Sequence, residues 1–472
     1  MNFAQLEYPI FLALVVLAIA MTRPLAVRKV MVLVASLYFY AYWDYRFLAL
    51  LVASTLWDWS IGIGLGAAQG GRSRRCLLGL SIAGNLGTLG FFKYYNFFIE
   101  SAQSVFERWG MHAGTLSIVL PIGISFYTFQ TLSYSIDVYR RKLAPCRSLL
   151  DFAIYVSFFP QLVAGPIVRA SEFLPQLQMS PHVAWSGLYP GLAQILRGMV
   201  KKVLIADHLA MLVDPVFATP DLFHAATVIL AVLAYAGQIY GDFSGYSDIA
   251  VGSARLLGFS LPENFSHPYL ATSIGDFWRR WHITLSTWLR DYLYIPLGGN
   301  RQGSLRTYLH LMITMILGGL WHGAAWNFVA WGAWHGLALS LERAFSAGPQ
   351  SAAGVSAGAA DAWQWKRIAQ GCLTFLIVLV GWMLFRTTSI VHFSALVQSL
   401  TNMRHGIHWF PPAPIAALTL LIVEHAIWAS PTRSVLTLDP DRWQTPWLVG
   451  FALAALALFA PGRSQPFVYF QF

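Results

Sequence analysis

A histidine inside an apolar segment is the first candidate for chemistry in this sequence. His322 lies in the motif LWHGAAW, within the run Leu309–Leu341, which contains no Asp, Glu, Lys or Arg. In such a desolvated setting an imidazole stays neutral and can accept a proton. Small neighbouring residues let a backbone or a ligand approach closely, and Trp321 and Trp326 provide rigid apolar walls. These features make His322 a candidate catalytic residue.

The segment Gly275–Arg301 holds a second histidine, His282, among tryptophans, tyrosines and charged residues. Mixed charges and aromatic rings are typical of an amphipathic helix at a membrane interface. That interpretation accounts for Arg279 and Arg280 but not for His282. The two arginines could also bind the phosphates of an anionic acyl donor, because the guanidinium group suits phosphate geometry.

The segment Gln238–Gly252 is polar although it follows an apolar run, and it contains Asp242, Ser244 and Tyr246. One interpretation is a polar wall of a substrate cavity, since ionisable residues within membrane segments are costly and often functional. The other is a helix break whose acidic residues cap the next helix. Asp248 lies six residues after Asp242, so a catalytic carboxylate pair on one helix face is not expected.

His335 lies in GAWHG, an echo of the motif around His322. The two histidines are 13 residues apart, about 3.6 turns, and would face different ways on one helix. We expect His335 to have a structural role, such as a hydrogen bond to a backbone carbonyl at a glycine break.

These residues must be positioned by membrane helices. The chain of 472 residues is 57% hydrophobic and 11% charged, with a mean hydropathy of +0.55, whereas soluble proteins contain about 25% charged residues. Because helices satisfy their own backbone groups in lipid, we predict an all-α, multi-pass membrane protein with roughly eleven transmembrane helices in a single domain, residues 1–472. The predicted spans are Tyr8–Met21, Val30–Tyr42, Phe47–Leu65, Leu77–Phe92, Leu116–Ile136, Leu188–Leu204, Ala225–Tyr240, Leu309–Leu341, Gln370–Phe385, Ile415–Trp428 and Trp447–Phe459.

Three segments depart from simple spans. Pro160 and Pro166 interrupt Phe152–Val168, which predicts a broken, re-entrant or interfacial segment. Ser346–Asp361 is rich in small residues and is predicted to be a flexible loop. Arg306 and Arg343 bracket the run around His322, which suits a hairpin of two spans with His322 near its turn, about 24 Å of helix from Arg306.

The net charge of +10 arises from basic loops between apolar runs. This pattern follows the positive-inside rule and gives no reason to expect nucleic acid, and it places the N-terminus outside. The three cysteines, Cys76, Cys146 and Cys372, are scattered, so neither a metal site nor a disulfide framework is expected.

Several long motifs follow one another along the chain: PIGISFYTFQTLSYSIDVYR (Pro121–Arg140), FFPQLVAGPI (Phe158–Ile167), DFSGYSDIAVG (Asp242–Gly252), WRRWHITLSTWLRDYLYIPLGGNR, LGGLWHGAAWNFVAWGAWHG and FVYFQF (Phe467–Phe472). Together they resemble the membrane-bound O-acyltransferase family, in particular its bacterial alginate O-acetylation branch, and the resemblance covers essentially the whole chain. Gly241 departs from the family pattern, in which a bulkier residue is frequent there.

The resemblance implies tilted helices around a central tunnel, with His322 as catalytic histidine and His282 as the second polar active-site position. It implies an O-acetyltransferase of the bacterial inner membrane that takes acetyl groups from a cytoplasmic donor, acetyl-CoA, without a bound cofactor. The acetyl groups would cross the membrane to a periplasmic esterase-like partner within an exopolysaccharide-secretion complex. Alginate and cellulose are both plausible polymers.

Acyl transfer to a hydroxyl needs a base, for which we choose His322, and a site that excludes water. His282, a backbone N–H or Asn327 could stabilise the oxyanion. The Gly-x-Ser-x-Gly match at Gly354–Gly358 lies in the predicted flexible loop and not between a strand and a helix, as a nucleophile elbow requires, so a serine acyl-enzyme is disfavoured. The alternatives are a transporter or flippase and a non-catalytic scaffold. The residues assigned to the tunnel or to donor binding are Asn327, Trp321, Trp326, Asp242, Ser244, Tyr246, Arg279 and Arg280.

Overall fold

The described chain is helical, and no β-strand occurs in it, as predicted. The computed structural model describes Phe3, Gln5 and residues 7–111, 114–163, 165–346, 359–401, 405–430, 438–460 and Phe467, with the backbone alone at residues 104, 185, 346 and 359–364. Its helices are α1 (Glu7–Met21), α2 (Leu25–Asp44), α3 (Leu48–Ala67), α4 (Gly71–Leu89), α5 (Tyr95–Arg108), α6 (Ile124–Tyr139), α7 (Leu149–Ser157), α8 (Phe159–Leu162), α9 (Ala170–Phe173), α10 (Trp185–Met199), α11 (Asp207–Ala218), α12 (Ala225–Leu256), α13 (Ile274–Arg280), α14 (Ile283–Leu289), α15 (Ser304–His322), α16 (Trp326–Ser346), α17 (Ala359–Arg386), α18 (Ile390–Thr401), α19 (Pro412–Ala429) and α20 (Thr445–Phe459).

Shorter helical segments join several of these helices. The segments Gly90–Tyr94, Val200–Ala206 and Arg290–Tyr294 are π-helical, and Tyr45–Phe47, Leu174–Gln178, Pro220–Leu222 and Pro268–Leu270 are 3₁₀-helical. π-helical segments are rare in proteins as a whole, and those that occur often lie at functional sites.

Apolar helices identify the chain as a multi-pass membrane protein. Five helical stretches of the described chain are long and apolar enough to cross a membrane: Leu25–Ala67, Gly71–Gln103, Ala225–Leu256, Trp365–Arg386 and Pro412–Ala429. The apolar helices α1 and α20 coincide with predicted spans, but at 15 residues each they are shorter than the five stretches above. The predicted number of eleven spans stays a prediction.

Two of the irregular segments can be compared with the structure. Phe152–Val168 is broken, as predicted: α7 ends at Ser157, α8 forms a single turn, and residues 166–169 lie outside helix. Most of the predicted flexible loop Ser346–Asp361 lies outside the described residues, between the end of α16 and the start of α17.

The chain forms two compact units, Met1–Gly198 with Tyr246–Pro262, and Met199–Gly245 with Glu263–Phe472. In the first unit, a buried polar network joins α3, α4 and α6. The Asp58 carboxylate accepts hydrogen bonds from Ser81 Oγ (2.6 Å), Asn85 Nδ2 (2.7 Å) and Ser135 Oγ (3.0 Å). Because each of these donors satisfies the buried carboxylate, the network fixes how the three helices pack.

The second unit contains the hairpin of α15 and α16 that the bracketing arginines predict, with His322 as the last residue of α15. Glycines allow the two helices to pack with their backbones in contact. A Cβ atom at Gly319 would collide with the carbonyl oxygen of Phe328, and one at Gly332 with that of Met315. The small residues around His322 therefore serve the hairpin, which explains much of their clustering.

Replacing Gly319 by alanine should destabilise the protein by about 1–3 kcal/mol, the usual cost of overpacking. The matched control is Gly87→Ala in α4, where nothing lies within 4 Å of an added Cβ. There the change should be neutral or stabilising, because alanine favours helix. Thermal unfolding in detergent measures both variants, and equal melting temperatures would contradict the close packing.

Candidate active site

His322 is buried at the carboxyl end of α15, where the chain turns into an extended Gly323. Three aromatic rings surround its imidazole edge to face: Trp321 at 5.1 Å, Trp331 at 5.1 Å and Phe385 at 5.2 Å between ring centroids. Such rings exclude water from the surroundings of the imidazole. The structure thus places His322 in the apolar setting that a neutral proton acceptor requires.

The two tryptophans expected beside His322 differ in exposure. Trp321 is buried, whereas Trp326 begins α16 with 59% of its surface exposed. Trp331, which the sequence did not single out, also packs against the His322 ring. Trp331 lies in α16, five residues after its first residue. It is adjacent to His322 because α15 and α16 pack against each other.

His282 lies between two short helices, because α13 ends at Arg280 and α14 begins at Ile283. The segment Gly275–Arg301, interpreted from sequence as an interfacial amphipathic helix, thus contains two short helices and a π-helical turn and not one helix. His282 has a left-handed backbone, with φ of 42°, a strained conformation for a residue with a side chain. The break turns His282 into the protein interior, where none of its surface is exposed.

The His282 imidazole has one polar partner and aromatic neighbours. Its Nδ1 lies 3.1 Å from Asn264 Oδ1, and the Phe243 ring packs edge to face against it at 4.6 Å. Trp321 connects the two histidines, because its ring lies 6.0 Å from His282 and 5.1 Å from His322. Burial lowers the pKa of His282 to about 3, so the ring is neutral at physiological pH.

Asp242 forms a buried ion cluster. Helix α12 continues through the Gln238–Gly252 segment, so the interpretation as a helix break with capping acids is wrong. Lys202 Nζ lies 2.7 Å from Asp242 and 2.8 Å from Asp207, and all three side chains are at most 2% exposed. The sequence reasoning missed both partners: Lys202 compensates the buried charge of Asp242, and Asp207 is a second carboxylate paired with the same ammonium group.

Gly241 lies where α12 packs against the π-helical segment that contains Lys202. A Cβ at this position would lie 3.0 Å from the carbonyl oxygen of Lys201, so a side chain here would require α12 and the π-helical segment to move apart slightly. The neighbouring Ser244 is also buried, and its Oγ has no hydrogen-bond partner among the described residues.

Tyr246 and Asp248 belong to the first unit, although they lie on the same helix. Tyr246 is buried and stacks on Phe3 at 5.4 Å. Asp248 pairs with Arg197 at 3.2 Å. Asp242 and Asp248 therefore have separate partners, in agreement with the expectation that they do not form a catalytic pair.

Arg279 and Arg280, which the sequence assigns to donor binding, lie near the carboxylate of Asp276 in their own helix, α13. Arg280 Nε donates to Asp276 at 3.0 Å, and Arg279, whose side chain is 72% exposed, lies 3.7 Å from the same carboxylate. Neither arginine is buried in the aromatic surroundings of His322. Their role toward an anionic donor stays a prediction.

Asn327 connects two helices. Its Nδ2 donates to the carbonyl oxygen of Thr387 at 2.7 Å and lies 3.4 Å from that of Leu384, at the end of α17. Both carbonyls are free of the helical ladder near a carboxyl terminus, and Asn327 satisfies them. Its amide donor is thus engaged by backbone, which leaves the other oxyanion candidates better placed.

His335 is buried in an aromatic cage and separated from His322 by Trp331, whose ring lies 4.9 Å from His335 and 5.1 Å from His322. Neither ring nitrogen of His335 has a hydrogen-bond partner among the described residues. The expected hydrogen bond to a backbone carbonyl is therefore absent there. A Cβ at Gly381 would lie 2.6 Å from His335 Nε2, so this ring packs directly on the backbone of α17.

The arrangement brings two buried histidines to one tryptophan. Phe243, which packs against His282, directly follows Asp242 of the ion cluster in the chain. Across the described ranges, no group of three or more His, Cys, Asp or Glu side chains could hold a metal ion. Asn264, Trp331 and Phe385 are site neighbours that the sequence reasoning missed, because no local pattern marks them. The geometry suits proton transfer by neutral imidazole in a setting that excludes water.

The sequence matches known proteins over most of its length. The sequence model of MBOAT, the membrane-bound O-acyltransferase family, matches residues 143–366. The chain is 45% identical over 370 residues to the probable alginate O-acetylase AlgI of Pseudomonas putida, covering 77% of this chain and 72% of that protein. It is 37% identical over 388 residues to a peptidoglycan O-acetyltransferase of Helicobacter pylori, covering 77% and 71%.

A more distant similarity is that to a teichoic acid D-alanyltransferase of Streptococcus thermophilus, 29% identical over 245 residues and covering 49% of this chain and 59% of that protein. The matched residues 143–366 include His282, His322 and the hairpin that holds His322. Helical architecture, apolar spans and these identities agree, and the chain is therefore an O-acyltransferase that belongs to the membrane-bound O-acyltransferase family.

Proposed function

We propose that this protein is an O-acetyltransferase of the bacterial inner membrane that takes acetyl groups from cytoplasmic acetyl-CoA and passes them across the membrane for O-acetylation of an exopolysaccharide. The observation that carries the proposal is His322, buried at the turn of the α15–α16 hairpin and enclosed by three aromatic rings. In this role His322 acts as the general base that removes the proton of the attacking hydroxyl.

Two similarities support acetyl as the group transferred. Relatives at 45% and 37% identity are named alginate O-acetylase and peptidoglycan O-acetyltransferase. The higher identity favours an alginate-like polymer over peptidoglycan, and a cellulose-like polymer is the other candidate. A periplasmic esterase-like protein is the proposed partner, because the reaction then needs a second step that moves the acetyl group onto the polymer.

Purified protein in nanodiscs should consume radiolabelled acetyl-CoA and release free coenzyme when the secretion partners and an alginate oligosaccharide are supplied. Coenzyme release is measured with a thiol reagent, and acetyl transfer by recovery of label in the oligosaccharide. Protein inactivated by heat provides the background rate. No turnover with the partners present would refute the proposal and favour a transporter or a scaffold.

A further inference from the structure

Asn264 Oδ1 is a hydrogen-bond acceptor for three neighbouring atoms. It lies 3.2 Å from the backbone nitrogen of Thr284, 2.9 Å from Thr284 Oγ1 and 3.1 Å from His282 Nδ1. A backbone N–H can only donate, so the Asn264 atom that faces Thr284 must be the amide oxygen. The same oxygen faces His282 Nδ1, which must therefore carry a proton in order to donate.

The proton on Nδ1 determines the protonation state of the other ring nitrogen, Nε2. A neutral imidazole has a single N–H, so Nε2 of His282 presents a lone pair. Nε2 is buried, and no described residue forms a hydrogen bond with it. A buried polar atom without a partner is uncommon in proteins and marks a site that a ligand can complete.

The backbone holds the ring in place. Asn264 also accepts a hydrogen bond through its carbonyl oxygen from the Ile283 nitrogen at 2.9 Å. One residue thus anchors positions 282–284 through both its main chain and its side chain. This double contact maintains the left-handed conformation of His282, which the chain does not adopt without support.

We propose that Asn264 is a positioning residue that fixes the Nδ1–H tautomer of His282, so that His282 Nε2 accepts a hydrogen bond from a hydroxyl or N–H group of a bound substrate. The group in question is not the hydroxyl that His322 deprotonates but a neighbouring donor that Nε2 orients. A neutral Nε2 cannot donate, so this assignment excludes His282 as the oxyanion donor considered from the sequence. The identity of the Nε2 ligand rests on the proposed acyl-transfer function, whereas the tautomer does not.

Nitrogen NMR of protein labelled with ¹⁵N-histidine measures the tautomer directly. The His282 signals are assigned by their loss in the His282→Gln variant. In the unmodified protein, Nδ1 should appear protonated and Nε2 unprotonated. A proton on Nε2 in the unmodified protein overturns the proposal.

Two variants separate positioning from folding. Asn264→Leu removes the acceptor and should abolish the preference for Nδ1–H, whereas Thr284→Val removes one donor to the same oxygen and should preserve it. With acetyl-CoA as the probe substrate, Asn264→Leu should lower kcat about 10–100-fold, the usual effect of removing such a support, with little change in KM. An unchanged tautomer in folded Asn264→Leu overturns the positioning role. If the tautomers of the unmodified protein and of both variants are as expected but no acetyl-CoA is consumed, the positioning role of Asn264 stands and the proposed function is refuted.

Discussion

Replacement of His322 by glutamine is expected to lower acetyl transfer by about 10²–10⁴-fold, the usual contribution of a general base. Glutamine retains a polar side chain of similar length but cannot accept a proton at neutral pH. The rings of Trp321, Trp331 and Phe385 would remain to enclose the site. The measurements are coenzyme release by purified protein and the acetyl content of secreted polymer in a strain carrying the variant.

The protein contains a matched control for this experiment in His335. His335 is also buried, contacts the same Trp331 and occurs in a similar sequence motif, AWHG. His335→Gln should therefore reproduce any general damage to packing while leaving the base in place. Near-normal acetylation by folded His322→Gln, or an equal loss in both variants, would contradict the assignment of His322 as the base.

Replacement of Lys202 by methionine is expected to destabilise the protein by about 3–5 kcal/mol, the typical cost of leaving a buried charge without its partner. Lys202 is 1% exposed and lies within 2.8 Å of both Asp207 and Asp242. Its removal would leave two carboxylates close together in a setting of low polarity. Thermal unfolding in detergent should show a large fall in melting temperature or a failure to accumulate in the membrane.

Two further variants test whether charge is the cause. Arg442→Met removes a basic side chain from an exposed ion pair with Asp439 at 3.7 Å, and should cost less than about 1 kcal/mol. The triple change Lys202→Met, Asp207→Asn and Asp242→Asn removes the whole buried cluster. It should recover much of the stability, since neutral replacement of buried ion networks is often tolerated. If the single and triple variants are equally unstable, packing rather than charge holds this region together.

The His322 and Lys202 variants distinguish a residue that acts in catalysis from a residue that stabilises the fold. Loss of His322 should impair transfer in a protein that still folds, because the aromatic rings that pack around position 322 remain in place. Loss of Lys202 should impair folding, because two buried acids depend on it. The opposite pattern would assign the chemistry to the buried cluster of Lys202, Asp207 and Asp242 and not to the α15–α16 hairpin.

The sequence by itself determined the helical membrane class, the break in Phe152–Val168 and the position of His322 at a hairpin turn. Each depends on local properties: apolar length, proline, and the distance between charged residues that bracket a run. The two histidines could be selected for the same reason, because an ionisable residue in an apolar segment is visible in the chain itself.

Only the tertiary structure decided which residues surround these histidines. Trp331 contacts His322, Asn264 lies against His282, and Lys202 compensates Asp242. It also showed that α12 continues through the polar segment and that the chain breaks at His282. The physical reason is that a buried charge or a strained backbone depends on partners brought close by folding, which local composition and periodicity do not specify.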